Sequence, residues 1–360
     1  MHCPHRLPRW GMAQMTAVVL TKHGGPEGLQ VRYDWPRPAP GPGEVLVRVA
    51  AAAVNNTDIW TRQGAYGLPG DPDARAGWRG LMSFPRVQGG DIAGVVHAVG
   101  EGVDPHRVEQ RVLIDPALYR DESVGAPPVG LLGSEADGGF AQFVTVAAAQ
   151  AHDVTDSPLS DEQLAALPVA YGTAMGMLER AHLRRGEMVV VTGASGGVGV
   201  ALVQLATARG ARVIAITSGA KADQVRSAGA QHALDRSADD LTARVDQLAP
   251  SGVDAVADVA GGSMLSELMS RVRDDGRWVI AGAVGGAVVE FDLRRLYLHN
   301  ISLIGSSMHT REHFARLVEA AVAGTIHPLI AARYPLTEIA AAQDNFARGR
   351  HVGKIVLTSN

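Results

Sequence analysis

"MVVVTGASGGVGVALVQLATARG" (residues 188–210) runs from a short apolar strand through a glycine-rich turn into a segment with apolar residues at helical spacing. That order is the context in which a glycine motif points to dinucleotide binding. Ala194, Gly196 and Gly199 form an A-x-G-x-x-G fingerprint, with Ser195, Gly197 and Val198 between them. Small residues there permit a tight turn and let backbone N–H groups at a helix N-terminus reach a pyrophosphate. The plainer reading is a glycine turn needed only by the chain itself.

Downstream, "ARVIAIT" (211–217) is a second buried strand, and further strands are expected within 253–262, 276–286 and 301–307. Strands alternating with helices predict an α/β fold, a doubly wound parallel sheet over 166–305 covered on both faces. Gly261 and Gly262 end a strand on the carboxyl edge, where such sheets bind ligands, and Gly282 follows the next strand in the same way. An NAD site places an acidic residue about 20 residues after the fingerprint. Here the second strand ends in "TSGAK", where Ser218 and Lys221 suit a 2′-phosphate, so NADPH (NADP) is the cofactor expected. The alternative for Lys221 is a solvated helix start.

Upstream, residues 15–165 show short alternating apolar runs between Gly and Pro clusters, the pattern of a β-rich domain. The final "GKIVL" (353–357) reads as a strand returning to it, so 306–360 is assigned to the same domain. The connection 67–88 is long for a structureless loop and reads as a lid or a local insertion. Its Trp78 and Phe84 either shape the substrate pocket or anchor the loop. Residues 1–14 read as a mobile extension, whose His2, Cys3 and His5 lack the supporting shell of a metal site.

Composition narrows the function. With 46% hydrophobic and 19% charged residues the chain is globular, and a net charge of −4 offers no footprint for nucleic acid or an anionic membrane. Cys3 is the sole cysteine, which excludes an intramolecular disulfide and a cysteine-rich zinc site and favours the cytoplasm. No apolar run approaches the roughly 20 residues of a membrane span.

Several features together resemble the medium-chain dehydrogenase/reductase superfamily: "TAVVLTKHGGPEGLQV", the glycine fingerprint, "DVAGG" and "GKIVL". The likeness covers residues 15–358, and "AVNNTDIWTRQGAYG" with "SGGVG" is most similar to its zinc-independent quinone oxidoreductases. The resemblance implies a GroES-like catalytic domain, a Rossmann domain, a cofactor in the cleft between them and a homodimer. Zinc alcohol dehydrogenases of the superfamily hold their catalytic metal with Cys, with the His of Gly-His-Glu and with a further Cys or Asp/Glu. Here the first position is Asn55, the second reads Gly89-Gly90-Asp91, and "LPVAYGTA" supplies neither thiol nor imidazole. The structural-zinc lobe, "DPALYRDESVGAPPVGLLGSEADGGFAQF", contains no cysteine either, so no zinc is expected. His309 and His313 have the i, i+4 spacing of paired ligands, but without a third ligand they read as solvated or capping residues.

Without a Lewis acid, alcohol oxidation loses carbonyl polarisation and easy removal of the hydroxyl proton. A quinone or α,β-unsaturated carbonyl is less demanding, because it takes hydride at carbon and delocalises the resulting anion. The expectation is therefore hydride transfer from NADPH to such a small molecule. The resemblance puts Asn55 and Asp58 near the nicotinamide, with Asn55 bonding the carboxamide or the substrate oxygen. The competing readings are a turn cap for Asn55 and a backbone hydrogen bond for Asp58. Trp60 and Tyr66 would line the acceptor pocket, Tyr66 as a proton donor, and Thr173 in "YGTA" resembles the family threonine close to the nicotinamide. Two rival functions stand beside this one: an alcohol dehydrogenase or imine reductase acting on a natural product, and a non-catalytic NADPH-binding scaffold or sensor.

Overall fold

The structure is a computed structural model and describes residues 13–359, apart from 69 and 72. Residues 1–12, with His2, Cys3 and His5, lie outside the described residues. The first strand, Gln14–Leu20, already includes the end of the segment read as an extension.

Six parallel strands form the sheet of the second domain, in the spatial order His232–Asp235, Arg212–Thr217, Met188–Val191, Val253–Asp258, Val272–Ile280 and Ser302–Gly305. Numbered along the chain this is 3-2-1-4-5-6, the doubly wound order, with its switch point between Met188–Val191 and Val253–Asp258. Val189 and Val191 enter one apolar core while Met188 and Val190 enter the one on the opposite face. Burial on both faces explains why this strand reads as an unbroken apolar run. His232–Asp235 was not anticipated, because it is a four-residue edge strand with only Leu234 buried.

The β-rich domain is built on a seven-stranded sheet centred on Glu44–Val54 and a three-stranded sheet around Gln14–Leu20. Lys354–Thr358 pairs antiparallel with Glu44–Val54, Ile355 opposite Val54, so the end of the chain returns to this domain. The segment 306–360 is nevertheless divided. Its helix Arg311–Val322 packs on helix Pro168–Arg180, and Phe314, Leu317 and Ala321 join the core beneath the parallel sheet.

His309 corrects the reading of a solvated or capping residue. It is fully buried, with Nε2 2.8 Å from Asp115 Oδ1, and Tyr119 donates its hydroxyl to Asp115 Oδ2 at 2.7 Å. The pair therefore ties the two domains together. His313 does serve the helix start, its Nδ1 accepting from the Thr310 N–H at 3.3 Å.

Trp78 and Phe84 are also corrected, since neither lines the cavity beside Asn55. Trp78 packs against Ala117, Leu131 and Met308 with the Arg79 guanidinium 4.4 Å from its ring centroid, and Phe84 meets His23 edge-on at 4.8 Å. Both aromatics are half-buried and anchor the 67–88 connection through these contacts.

Candidate active site

Two cavities open at the carboxyl edge of the parallel sheet and meet at Gly193, Gly196 and Phe346. The larger, about 790 Å³, follows the ends of the first, second and fourth strands, with Ser195, Ser218, Lys221 and Gly261 in its wall. The smaller, about 320 Å³, lies between the domains; Asn55, Trp60 and Tyr66 face Thr173, Gly197, Val198, Gly199 and Gly282 across it.

The glycine loop separates fold from ligand. A Cβ on Gly199 would sit 2.2 Å from the Gly193 carbonyl oxygen and 2.6 Å from Ala194 Cα, so the close approach of helix Gly197–Ala208 to its strand requires glycine there. Gly196 differs: it occupies the N-cap at φ −74°, ψ 173°, open to any residue, and its Cβ would meet nothing nearer than 3.6 Å. The chain itself therefore gives no reason for glycine at 196, whereas a group lying on the helix N-terminus does. No side chain caps that terminus, which leaves its first N–H groups for a ligand. These features fit a dinucleotide pyrophosphate. Ala194 is fully buried behind the loop, and Gly262 packs under Gly285, where a Cβ would come within 2.5 Å of a carbonyl oxygen; neither lines the cavities.

The turn after the fourth strand is held by a buried carboxylate that the sequence did not reveal. Buried Asp258 accepts from the Thr192 hydroxyl at 2.5 Å, the Gly261 N–H at 2.9 Å and Trp278 Nε1 at 3.2 Å. At the far end of the larger cavity Arg236 and Arg350 join Ser218 and Lys221, and among the described residues no carboxylate lines the wall. Lys221 Nζ donates to the Gly349 carbonyl at 2.6 Å; burial and then Arg236 lower its pKa. Sequence reasoning missed both arginines, because one follows the unrecognised strand and the other lies in the final loop.

In the smaller cavity, Asn55 is the N-cap of helix Asn56–Gln63, but its amide is used elsewhere. Nδ2 donates to Asp91 Oδ2 at 2.8 Å, Oδ1 accepts from Lys354 Nζ, and Nζ lies 2.9 Å from Asp91 Oδ2. All three residues are buried, with Lys354 only 2% exposed. A lysine inside "GKIVL" was the available signal for this buried cation. Asp58 does not line the cavity: it accepts from the Asn55 N–H at 2.7 Å and from the Gly89 N–H, which makes it a structural residue. Burial raises its pKa to about 7, against the pull of the Asn55 N–H. Tyr66 stacks edge-on against Trp60 and donates to Thr57 Oγ1 at 3.2 Å; burial pushes its hydroxyl up to about 12.

The metal-ligand positions of the zinc enzymes do not form a metal-binding set here. The acceptor atoms of Asn55 and Asp91 already face an ammonium group, whose charge would oppose a second cation. Among the described residues no group of three or more His, Cys, Asp or Glu converges on a point that could hold a metal.

A doubly wound sheet with this glycine loop, joined through a cleft to a β-rich domain, defines a two-domain pyridine-nucleotide oxidoreductase. The chain belongs to the medium-chain dehydrogenase/reductase superfamily, in its quinone oxidoreductase-like branch. Residues 41–156 match the alcohol dehydrogenase GroES-like domain family and residues 197–323 the zinc-binding dehydrogenase family. Human quinone oxidoreductase is 29% identical over 360 residues, covering 96% of this chain and 98% of that protein. Acryloyl-coenzyme A reductase of Metallosphaera sedula is 30% identical over 355 residues, covering 96% of this chain and all (100%) of that protein. A structure from Sinorhizobium meliloti 1021, provisionally named an alcohol dehydrogenase, superposes with a TM-score of 0.92 at 43% identity, covering 98% of each chain.

Proposed function

We propose that the protein is a cytoplasmic NADPH-dependent reductase of a small quinone or α,β-unsaturated carbonyl compound and works without a catalytic metal. The observation that carries the reading is the lining of the smaller cavity, which among the described residues holds Trp60, Tyr66 and Val284 beside Asn55, no His, Asp or Glu, and one amine, Lys354, whose ammonium group is held by Asn55 and Asp91. Such a wall has no carboxylate or imidazole to take an alcohol proton, and its one amine is engaged in an ion pair, but it can orient an apolar acceptor and hydrogen-bond its oxygen. NADPH, when bound, supplies the hydride. Ser195, Gly196, Gly197 and Gly261 would hold the pyrophosphate, Ser218, Lys221, Arg236 and Arg350 the 2′-phosphate, and Thr173 and Gly282 the nicotinamide end. Asn55 offers an N–H to the acceptor oxygen. Tyr66 packs edge-on against Trp60 in the wall with its hydroxyl donated to Thr57 Oγ1, and water supplies the proton that completes the reduction.

The test is NADPH and NADH oxidation against a panel of quinones and enones, with metal content measured on protein purified without chelator. Turnover that favours NADPH, zinc well below one per chain, and loss of the NADPH preference in Lys221→Ala are expected. Stoichiometric zinc with NADP-dependent alcohol oxidation would replace this reading by alcohol dehydrogenation, the alternative favoured by the likeness to the Sinorhizobium meliloti structure.

We further propose a homodimer formed through the edge strand Ser302–Gly305. Leu303 on that strand, Val288 before it and Tyr297 and Leu298 on the adjoining helix are exposed, Val288 at 95%. Isolated apolar residues are common on surfaces, but this group adjoins an unpaired strand edge. Sedimentation velocity is expected to show a dimer that Leu303→Arg shifts to monomer; a wild-type monomer at micromolar concentration would remove the idea.

A further inference from the structure

Lys354 touches both halves of the site. Its stem lies over the glycine loop, since a Cβ on Gly197 would come 2.9 Å from Lys354 Cδ, and the neighbouring Gly353 N–H donates to the Ser195 carbonyl at 3.1 Å. Its ammonium group enters the β-rich domain, where it donates to the Val54 carbonyl at 3.1 Å and to Asn55 Oδ1 and lies 2.9 Å from Asp91 Oδ2. Asp91 is itself fixed, its Oδ1 accepting from the Val169 N–H at 2.7 Å.

These contacts close a ring in which Asn55 Oδ1 faces a cation and Asn55 Nδ2 faces a carboxylate. Turning the amide over would set NH₂ against ammonium and carbonyl oxygen against carboxylate. One orientation therefore holds, and the carbonyl oxygen is committed to Lys354. Of the two Nδ2 protons one goes to Asp91, while the other has only the Ala53 carbonyl at 3.4 Å, too long for a strong bond. What the amide offers the cavity is thus an N–H. Donation by an ammonium group to the carbonyl oxygen also polarises the amide and strengthens that N–H as a donor.

From this geometry, and resting on the reductase reading above, we infer that Lys354 and Asp91 are positioning residues. They lock Asn55 as an N–H donor to the oxygen of the hydride acceptor and register it against the glycine loop through the Lys354 stem. Asp91 stands behind the cavity and Lys354 at its edge, with its ammonium group turned to Asn55 and Asp91; together they decide which face of the amide meets the substrate.

Lys354→Met alone leaves Asp91 buried without its cation and threatens folding. The test therefore uses the double variant Lys354→Met/Asp91→Asn, which removes both charges and lets Asn55 turn its carbonyl oxygen toward the new amide. The expected result is a folded protein with NADPH affinity within threefold of wild type and kcat lowered about 10²-fold, the size of losing one oxyanion donor. Asn55→Ala is expected to lower kcat equally in the wild type and to add no further loss in the double variant. In the cofactor-free protein the Asn55 side-chain amide protons, followed by NMR, are expected to exchange with solvent at least tenfold faster once the ring is gone. Should the double variant fail to fold, Lys354→Arg and Asn55→Ala decide the matter: retained kcat in the first with loss in the second supports the role. Wild-type turnover with kcat unchanged in the double variant, or in Asn55→Ala, would overturn the positioning role alone. No turnover by wild type with any acceptor would overturn the reductase reading instead.

Discussion

Gly196→Ala is expected to keep the fold and weaken cofactor binding, while Gly199→Ala destabilises the fold itself. At 196 the backbone suits any residue and a methyl group has space, so the cost to stability is that of a poorer N-cap, about 1 kcal/mol. The same methyl group would stand in the cavity wall at the helix N-terminus, where a pyrophosphate would make its closest approach to backbone. NADPH Kd should rise at least tenfold, or about 1.4 kcal/mol. At 199 the methyl group would meet the backbone of Gly193 and Ala194, which belong to the strand-to-helix turn and cannot yield like a side chain. Overpacking there should cost about 3 kcal/mol or more. Thermal unfolding and NADPH fluorescence titration on both variants check the pair. Normal NADPH binding by Gly196→Ala would show that the helix N-terminus does not carry the pyrophosphate.

The second large effect concerns pH. Burial raises the Asp58 pKa from the ordinary 3.8 to about 7. Between those values the folded protein holds a proton that the unfolded chain has released, so the unfolded state binds fewer protons and stability falls as pH rises. The contribution is full below about pH 4 and is lost as pH passes through about 7, amounting to roughly 4 kcal/mol in all. Asp58→Asn removes the titration while keeping an acceptor for the Asn55 N–H. The wild-type Tm should fall from pH 5 to pH 8 more steeply than that of Asp58→Asn. Parallel curves for the two proteins would mean that Asp58 is ionised throughout and that its two backbone N–H donors outweigh its burial.

How much of this was legible depended on distance along the chain. The doubly wound sheet could be read because Met188–Val191 is buried on both faces and so appears as four consecutive apolar residues. The glycine loop could be read because strand, turn and helix are covalent neighbours whose spacing is itself the geometry. The edge strand His232–Asp235 could not, since an edge buries too little to leave a pattern. Trp78 and Phe84 could not be distinguished from pocket residues, because an aromatic that anchors a loop and one that lines a cleft look alike in sequence.

By itself the sequence determined the order of elements, the nucleotide-binding loop and the absence of thiols from the positions where zinc relatives carry them. Only the tertiary structure decided what Asn55 does, because its partners Asp91 and Lys354 lie 36 and 299 positions away and meet when the last strand pairs with Glu44–Val54. It likewise buried His309 on Asp115, 194 positions away, and gathered Lys221, Arg236 and Arg350 at one wall. Periodicity and turn chemistry are local consequences of backbone geometry, whereas the convergence of charges from distant segments is set by how sheets and helices pack.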